Sequence, residues 1–201
     1  MSAKLKQCLV LAIAGCLTAT VPAKAQDRDS VYTLILYAGA GYTRNFSPFG
    51  DAPAGLRRDG LGASVRVMWK PEHLLRVGLE TGITQVYSVQ RKGVQSPFGV
   101  TDFSSYLNAI PLALTFSMPL TNSLEGYIGS TSYLLFSKTE SYGNSTTGFM
   151  LSIGFSAGLT YLWMINDEWR VGTEVKWYHI EKSRDDNVMV YLVFSYPIID
   201  W

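Results

Sequence analysis

Eight stretches of about ten residues, each alternating apolar with small or polar side chains, constrain this chain more than any other feature. A period of two belongs to a strand with two unlike faces. In residues 61–69, Leu61, Ala63, Val65, Val67 and Trp69 share one face, and Gly62, Ser64, Arg66 and Met68 the other. Residues 149–165 set Phe149, Leu151, Ile153, Phe155, Ala157, Leu159, Tyr161 and Trp163 against Ser152, Gly154, Ser156, Gly158 and Thr160. Residues 169–177 set Trp169, Val171, Thr173, Val175 and Trp177 against Arg170, Gly172, Glu174 and Lys176. The other five segments are 31–42, 74–87, 106–118, 124–136 and 188–196. In 124–136 both faces are almost equally apolar, so inside and outside can be exchanged. Pro111 takes a ladder donor out of its strand and predicts a bulge there.

The connections alternate long and short in chain order: 43–60, 70–73, 88–105, 121–123, 137–148, 166–168 and 180–187. Tight turns at one end and longer loops at the other fit an all-β fold, an eight-stranded antiparallel up-and-down transmembrane β-barrel. Ten residues tilted by roughly 40° rise about 25 Å, the height of an apolar band in a bilayer. Composition agrees. Only 16% of the 201 residues are charged, against about a quarter in soluble domains. A helical span needs roughly 20 apolar residues, and only the N-terminus comes near that. A helical membrane protein, a disordered chain and a basic nucleic-acid binder are thereby disfavoured.

Residues 1–25 read as a secretory signal, leaving 26–201 as the barrel domain. Lys4 and Lys6 open it, Cys8 to Val21 is nearly all apolar, and Ala23-Lys24-Ala25 offers a cleavage site. Ile13-Ala14-Gly15-Cys16 supports a rival lipoprotein processing site. Both cysteines lie in this segment, so the mature chain has no disulfide, thiol nucleophile or thiolate metal site. Losing Lys4, Lys6 and Lys24 takes 17 basic residues to 14 against 16 acidic, a net of −2, which removes nucleic acid as an electrostatic partner.

Two observations aim the apolar face at lipid rather than inward as in a lipocalin-like barrel. Aromatic residues collect at the ends of that face: Tyr32, Trp69, Trp163, Trp169 and Tyr196 at the turn end, and Tyr42, Tyr87, Tyr106, Phe149 and Trp177 at the loop end. Amphipathic rings favour the headgroup level, so these read as two membrane girdles. The opposite face carries Gly, Ser and Thr rather than the Lys and Glu of a water-facing sheet. Its charges then point into the lumen: Arg66, Arg76, Glu80, Arg170, Glu174 and Lys176, with Glu125 on the ambiguous strand. Eight strands leave a lumen that side chains fill, and buried opposite charges must pair. The expectation is a structural ion-pair plug; a proton or ion relay is the lesser alternative.

The chain ends Tyr196-Pro197-Ile198-Ile199-Asp200-Trp201. It resembles outer-membrane barrels, whose last strand commonly ends in an aromatic residue read by the barrel-assembly machinery. Trp201 keeps lipid-facing parity only if Pro197 makes a bulge. Leu107-Asn108-Ala109-Ile110-Pro111-Leu112-Ala113-Leu114, followed by Gly126-Tyr127-Ile128-Gly129 and Tyr133-Leu134-Leu135, is similar to the porin-family outer membrane β-barrel domain of Bacteroidetes-type bacteria. That resemblance implies a small barrel in the outer membrane and adds no catalytic residue.

The lipid A deacylase, a barrel of this size with a His-x-Ser pair, is the nearest catalytic pattern. Two residues after His179 stands Glu181 instead of serine, and His73 lies in a turn at the wrong end. The lipid A palmitoyltransferase has no counterpart. No cofactor and no metal is expected; Asp185 and Asp186 read as a solvated loop tip, with calcium ligation the lesser alternative. Binding is expected on the outer loops. Arg44, Phe46, Phe49, Arg57 and Arg58 lie in the first, and Arg91, Lys92, Phe98 and Phe103 in the second. These residues suit lipopolysaccharide phosphates or a protein partner. The expectation is a non-catalytic structural, adhesive or binding barrel. A lipid-modifying enzyme using His179, a narrow solute channel and a small secretion-apparatus barrel are the alternatives.

Overall fold

The computed structural model describes residues 32–47, 54–71, 74–96, 99–166 and 168–200. The 1–25 segment, Phe49, His73, Phe98 and Trp201 lie outside the described residues. The strands are β1 (Thr33–Asn45), β2 (Leu56–Arg57), β3 (Asp59–Lys70), β4 (Arg76–Ser96), β5 (Gly99–Pro119), β6 (Leu124–Ser141), β7 (Asn144–Met164), β8 (Arg170–Ile180) and β9 (Asp185–Asp200), with no helix among the described residues. All but β2 join one antiparallel ring of eight, which β4 closes against β5; β2 is a two-residue strip on β4.

Alternation decides the two surfaces. Leu61, Val65, Leu79, Ile83, Leu112, Ile128, Leu151, Ile153, Leu159, Val175 and Leu192 all stand exposed on the outer wall. An apolar surface encircling a barrel is matched to hydrocarbon rather than water. Inside, glycines make room for large rings. A Cβ on Gly158 would lie 2.6 Å from the Tyr127 ring carbon Cζ, and one on Gly41 would strike the backbone of Val190 and the ring of Tyr191. Tyr127 is the cross-strand partner of Gly158, and Tyr191 that of Gly41. Each tyrosine thus lies across a residue with no side chain.

β6 settles its own ambiguity. Glu125, Tyr127, Thr131, Tyr133 and Leu135 are buried, while Ile128 and Leu134 are exposed, so odd-numbered residues point inward. Pro111 produces no bulge: Thr81 pairs with Leu112 and Thr84 with Ala109 in one unshifted register, and Thr81 Oγ1 donates to Pro111 O at 2.9 Å. The bulge lies a few residues on, between Gln85 and Tyr87. It reverses the facing there, so Tyr87 and its partner Leu107 pack against the buried lumen cluster. Tyr87 is therefore corrected from the outer girdle to the lumen. In β9, register shifts opposite Leu34 and Ile35, with Pro197 paired to Ile35 and Ile199 to Leu34. That extra residue returns Ile199 to the outer wall.

Two of the expected loops are strand. Residues 88–96 and 99–105 form the upper parts of β4 and β5, and 137–148 the upper part of the β6–β7 hairpin. The second hairpin turns on Tyr142 and Gly143, both with positive φ (52° and 74°), the geometry a two-residue turn needs to match strand twist. Meanwhile β8 stops at Ile180 and β3 begins at Asp59. The rim is uneven: a tall wall of β4 to β7 faces a low wall of β8, β9, β1 and β3.

Candidate functional site

The turn-end half of the lumen holds three cations and three carboxylates, all buried. Arg66 Nη2 donates to Glu174 Oε2 at 2.8 Å, and its Nη1 lies 3.6 Å from Glu80 Oε2. Lys176 pairs with Glu80. Glu174 also accepts from Tyr127 Oη and Thr160 Oγ1, both at 2.8 Å. Nearer the turns, Arg76 Nη1 donates to Glu125 Oε1 at 2.5 Å, while Tyr37 Oη donates to Glu125 Oε2 at 2.9 Å. The Arg66 guanidinium lies 4.3 Å from the Tyr127 ring centre and 4.8 Å from that of Tyr37. Three positive and three negative groups balance in this buried layer, which is the condition for holding them there.

Arg170 departs from the expected set. It shares inward parity with Glu174 and Lys176 but sits half-buried at the turn-end mouth, with no ion pair among the described residues. Sequence reasoning also left Tyr37 and Tyr127 out of the network, and placed Thr160 on the polar face without assigning it a partner. The signal for Tyr127 was its spacing of two from Glu125, which puts both on one face.

Above the charges lies a water-sized cavity of about 20 Å³ touched by Glu80, Lys176, Thr84 and Ser156. Then the lumen turns aromatic and aliphatic. Tyr133, Tyr178, Tyr191, Met189, Leu135, Val86 and Ile180 pack there, with Tyr178 Oη 3.2 Å from Thr84 Oγ1. Polar groups close the hairpin end on the low wall. Asn45 Nδ2 donates to Asp185 Oδ1 and to Asn187 Oδ1, each at 3.1 Å, and Ser47 Oγ donates to Asp185 Oδ1 at 2.6 Å. Asp185 is 2% exposed, so it is a buried acceptor rather than a solvated loop tip.

Asp186 belongs to another cluster. Its Oδ1 is 2.9 Å from His179 Nδ1, while Glu181 Oε2 is 3.2 Å from His179 Nε2. Both ring nitrogens are thus occupied by carboxylates, and no hydroxyl among the described residues bonds to either. His179 stands beside Phe155 and Trp177, with ring centres 5.3 and 6.5 Å away. Of the other girdle residues, Tyr42, Trp69, Phe149, Trp163 and Trp169 are exposed, and Tyr32, Tyr106, Trp177 and Tyr196 half-buried. Tyr32 stacks on Trp69 at 6.2 Å and Trp169 lies against Tyr196 at 4.7 Å.

The basic residues of the rim are brought to one corner but not onto one face. β2 pairs Leu56 with Val89 and Arg57 with Ser88, so Arg91, two residues beyond Val89, is on the face opposite Arg57. Arg91 Nε donates to Ala54 O at 2.8 Å. Arg44 lies 3.8 Å from Asp59 and over the Phe46 ring. Arg57 and Lys92 are exposed, and Arg58 half-buried. On the tall wall, Lys138 and Glu140 form an exposed pair at 2.5 Å above Phe136. Their hydrogen bond, and then their charges, raise the lysine pKa and lower that of the glutamate.

No family model matches the chain, and no curated protein matches its sequence. Solved structures do match. Neisserial surface protein A is 13% identical over 84% of this chain and 99% of its own, with a TM-score of 0.51. Ail, the attachment invasion locus protein of Yersinia pestis, is 11% identical over 85% of this chain and 100% of its own, also with a TM-score of 0.51. A major outer membrane protein from Thermus thermophilus is 14% identical over 83% of this chain and 99% of its own, with a TM-score of 0.58. At such identities the likeness is one of fold. The chain has the eight-stranded ring of small outer-membrane β-barrels.

Proposed function

We propose that this chain is a non-catalytic outer-membrane barrel acting through its extracellular hairpins, in adhesion or binding. The supporting observation is a lumen packed with side chains in both its halves among the described residues. Among the described residues, ion pairs, tyrosines and the Asn45–Asp185 cap pack the bore around that cavity of about 20 Å³, roughly room for one water. Such packing speaks against transport through the barrel and turns the reading to the outside of the molecule. The tall β4–β7 wall is the part that rises beyond the apolar band. In this reading the turn end is periplasmic, lipopolysaccharide surrounds the girdle, and the assembly machinery inserts the chain. The narrower likeness to the Bacteroidetes-type porin-family domain belongs to the same reading.

Ail has also been solved in complex with the heparin analogue sucrose octasulfate. Carried to this chain, that ligand class would meet the exposed Arg57 and Lys92 of the rim, with affinity that falls as salt rises. The first test is electrophoretic. Outer membranes run with and without boiling give a mobility shift for a closed, detergent-resistant barrel; protein in the soluble periplasm with no shift overturns the reading. Planar-bilayer recordings are expected to lack discrete openings. His179→Ala is expected to leave lipid A mass unchanged, because its ring nitrogens are held by Asp186 and Glu181 rather than by a nucleophile. A changed mass restores the lipid-modifying enzyme.

A further inference from the structure

Among the described residues, the tall wall ends in two strand edges with no neighbouring strand, and they differ. Among the described residues, β4 pairs only with β5 above Gln90, and β7 only with β6 above Ile153. The β4 edge carries Arg91 and Lys92 and a register shift between Arg91 and Val94, with Gly93 at φ 65°. Charge and a bulge are the devices that keep an edge from accepting another strand. The β7 edge has neither. Its residues Asn144-Ser145-Thr146-Thr147-Gly148-Phe149-Met150-Leu151 contain no charge and no proline. Its ladder to β6 runs unshifted from Asn144 to Tyr161.

The direction of the free backbone groups follows from the bonds lower down. Ile153 O accepts from Glu181 N at 2.9 Å, and Leu151 O from Lys182 Nζ at 3.4 Å. Residues of an antiparallel strand turn both backbone groups to alternate sides. Ser145, Thr147 and Phe149 therefore present N–H and C=O away from β6, a row that another extended backbone can pair in place of water. The β8–β9 turn closes the lower end at Lys182.

We infer that the β7 edge is a strand-addition site for an extended segment of another polypeptide, about eight residues long. Its outward side chains are polar beside Ser145 and Thr147 and apolar beside Phe149 and Leu151, which are 72% and 70% exposed. A second copy does not fit. Copies in one membrane share an orientation, so their β7 strands run the same way, and identical edges then have no antiparallel ladder to form. The inference rests on the binding role proposed above only in taking the hairpin tips as extracellular, which the boiling test checks separately.

The experiment uses the full barrel in detergent and, as probe, a synthetic octapeptide whose outward positions are threonine beside Ser145 and Thr147 and valine beside Phe149 and Leu151. Amide hydrogen exchange is read by residue with and without it. Slower exchange at Thr147 and Phe149 is expected. Thr147→Pro removes an outward N–H without touching the β6 ladder, so it is expected to keep the boiling shift and weaken peptide binding about tenfold or more. Thr147→Lys, which retains the strand, is expected to weaken it as well. Three results overturn the inference: protection only at residues 90–96 or nowhere; Thr147 and Phe149 already protected without peptide, meaning the chain covers its own edge; or a sedimenting dimer that Thr147→Pro dissolves.

Discussion

The two halves of the lumen are closed by opposite chemistries. Toward the turns, Arg66, Arg76 and Lys176 face Glu80, Glu125 and Glu174, and each charge has a partner. Toward the hairpins, Tyr133, Tyr178, Tyr191, Met189 and Leu135 fill the same bore with rings and aliphatic chains, and one carboxylate, Asp185, takes hydrogen bonds from neutral groups. The first solution depends on pairing and the second on volume. Removing one charge should therefore cost more than removing one hydrogen bond, and adding a methyl group should hurt wherever a ring lies over a glycine.

The largest effect is expected from Glu174→Ala. Glu174 accepts from Arg66, Tyr127 and Thr160, so its loss leaves a buried guanidinium short of charge. About 3–5 kcal/mol of stability should disappear, read as a lower urea midpoint for loss of the fast-migrating gel form. Next comes Gly158→Ala, whose Cβ would lie 2.6 Å from Tyr127. Overpacking of that kind costs about 1–3 kcal/mol. Tyr127→Phe in the same background should not relieve it, because the clash includes ring carbon. If Glu174→Ala proves milder than Gly158→Ala, then volume and not charge dominates the turn end as well.

In the hairpin half, Asp185→Asn keeps the shape and removes the charge. Asn45 Nδ2 and Ser47 Oγ then lose a charged acceptor, worth about 1–2 kcal/mol net of what the amide oxygen still offers. Faster amide exchange at Asp186, whose N–H donates to Ser47 Oγ, is the local readout. An unchanged exchange rate would mean that the cap is held by its backbone bonds, such as Phe46 N to Asp186 O at 2.7 Å.

How much of this was legible follows from what lipid demands. The ring of eight strands was readable because Leu61, Leu79, Ile153 and Val175 must be apolar where hydrocarbon touches them, and their neighbours must be small enough for the lumen. Strand 124–136 resisted because its inward side holds Tyr127, Tyr133 and Leu135, as apolar as Ile128 and Leu134 outside. Only the match of Tyr127 to Gly158 and of Glu125 to Arg76, both distant in sequence, separates the faces. The height of the tall wall was hidden for another reason. Above the membrane neither face meets lipid, so Asn144 to Gly148 alternates in nothing and reads as a loop. Tyr87 was misplaced because a bulge has no marker in residue order.

Arg170 supplies the smallest expected effect and the sharpest division. It has the parity of Glu174 and Lys176, and parity alone assigned it to their network. Depth sets it apart: at the first position of β8 it meets solvent at the turn-end mouth, where water hydrates a guanidinium without help. Arg170→Met should change stability by no more than about 0.5 kcal/mol in the same urea series, the range of surface substitutions remote from buried features. A loss approaching that of Glu174→Ala would mean the ion-pair layer reaches the mouth, and that inward parity suffices to define it. A null result restricts the layer to residues that both point inward and lie beyond the reach of water.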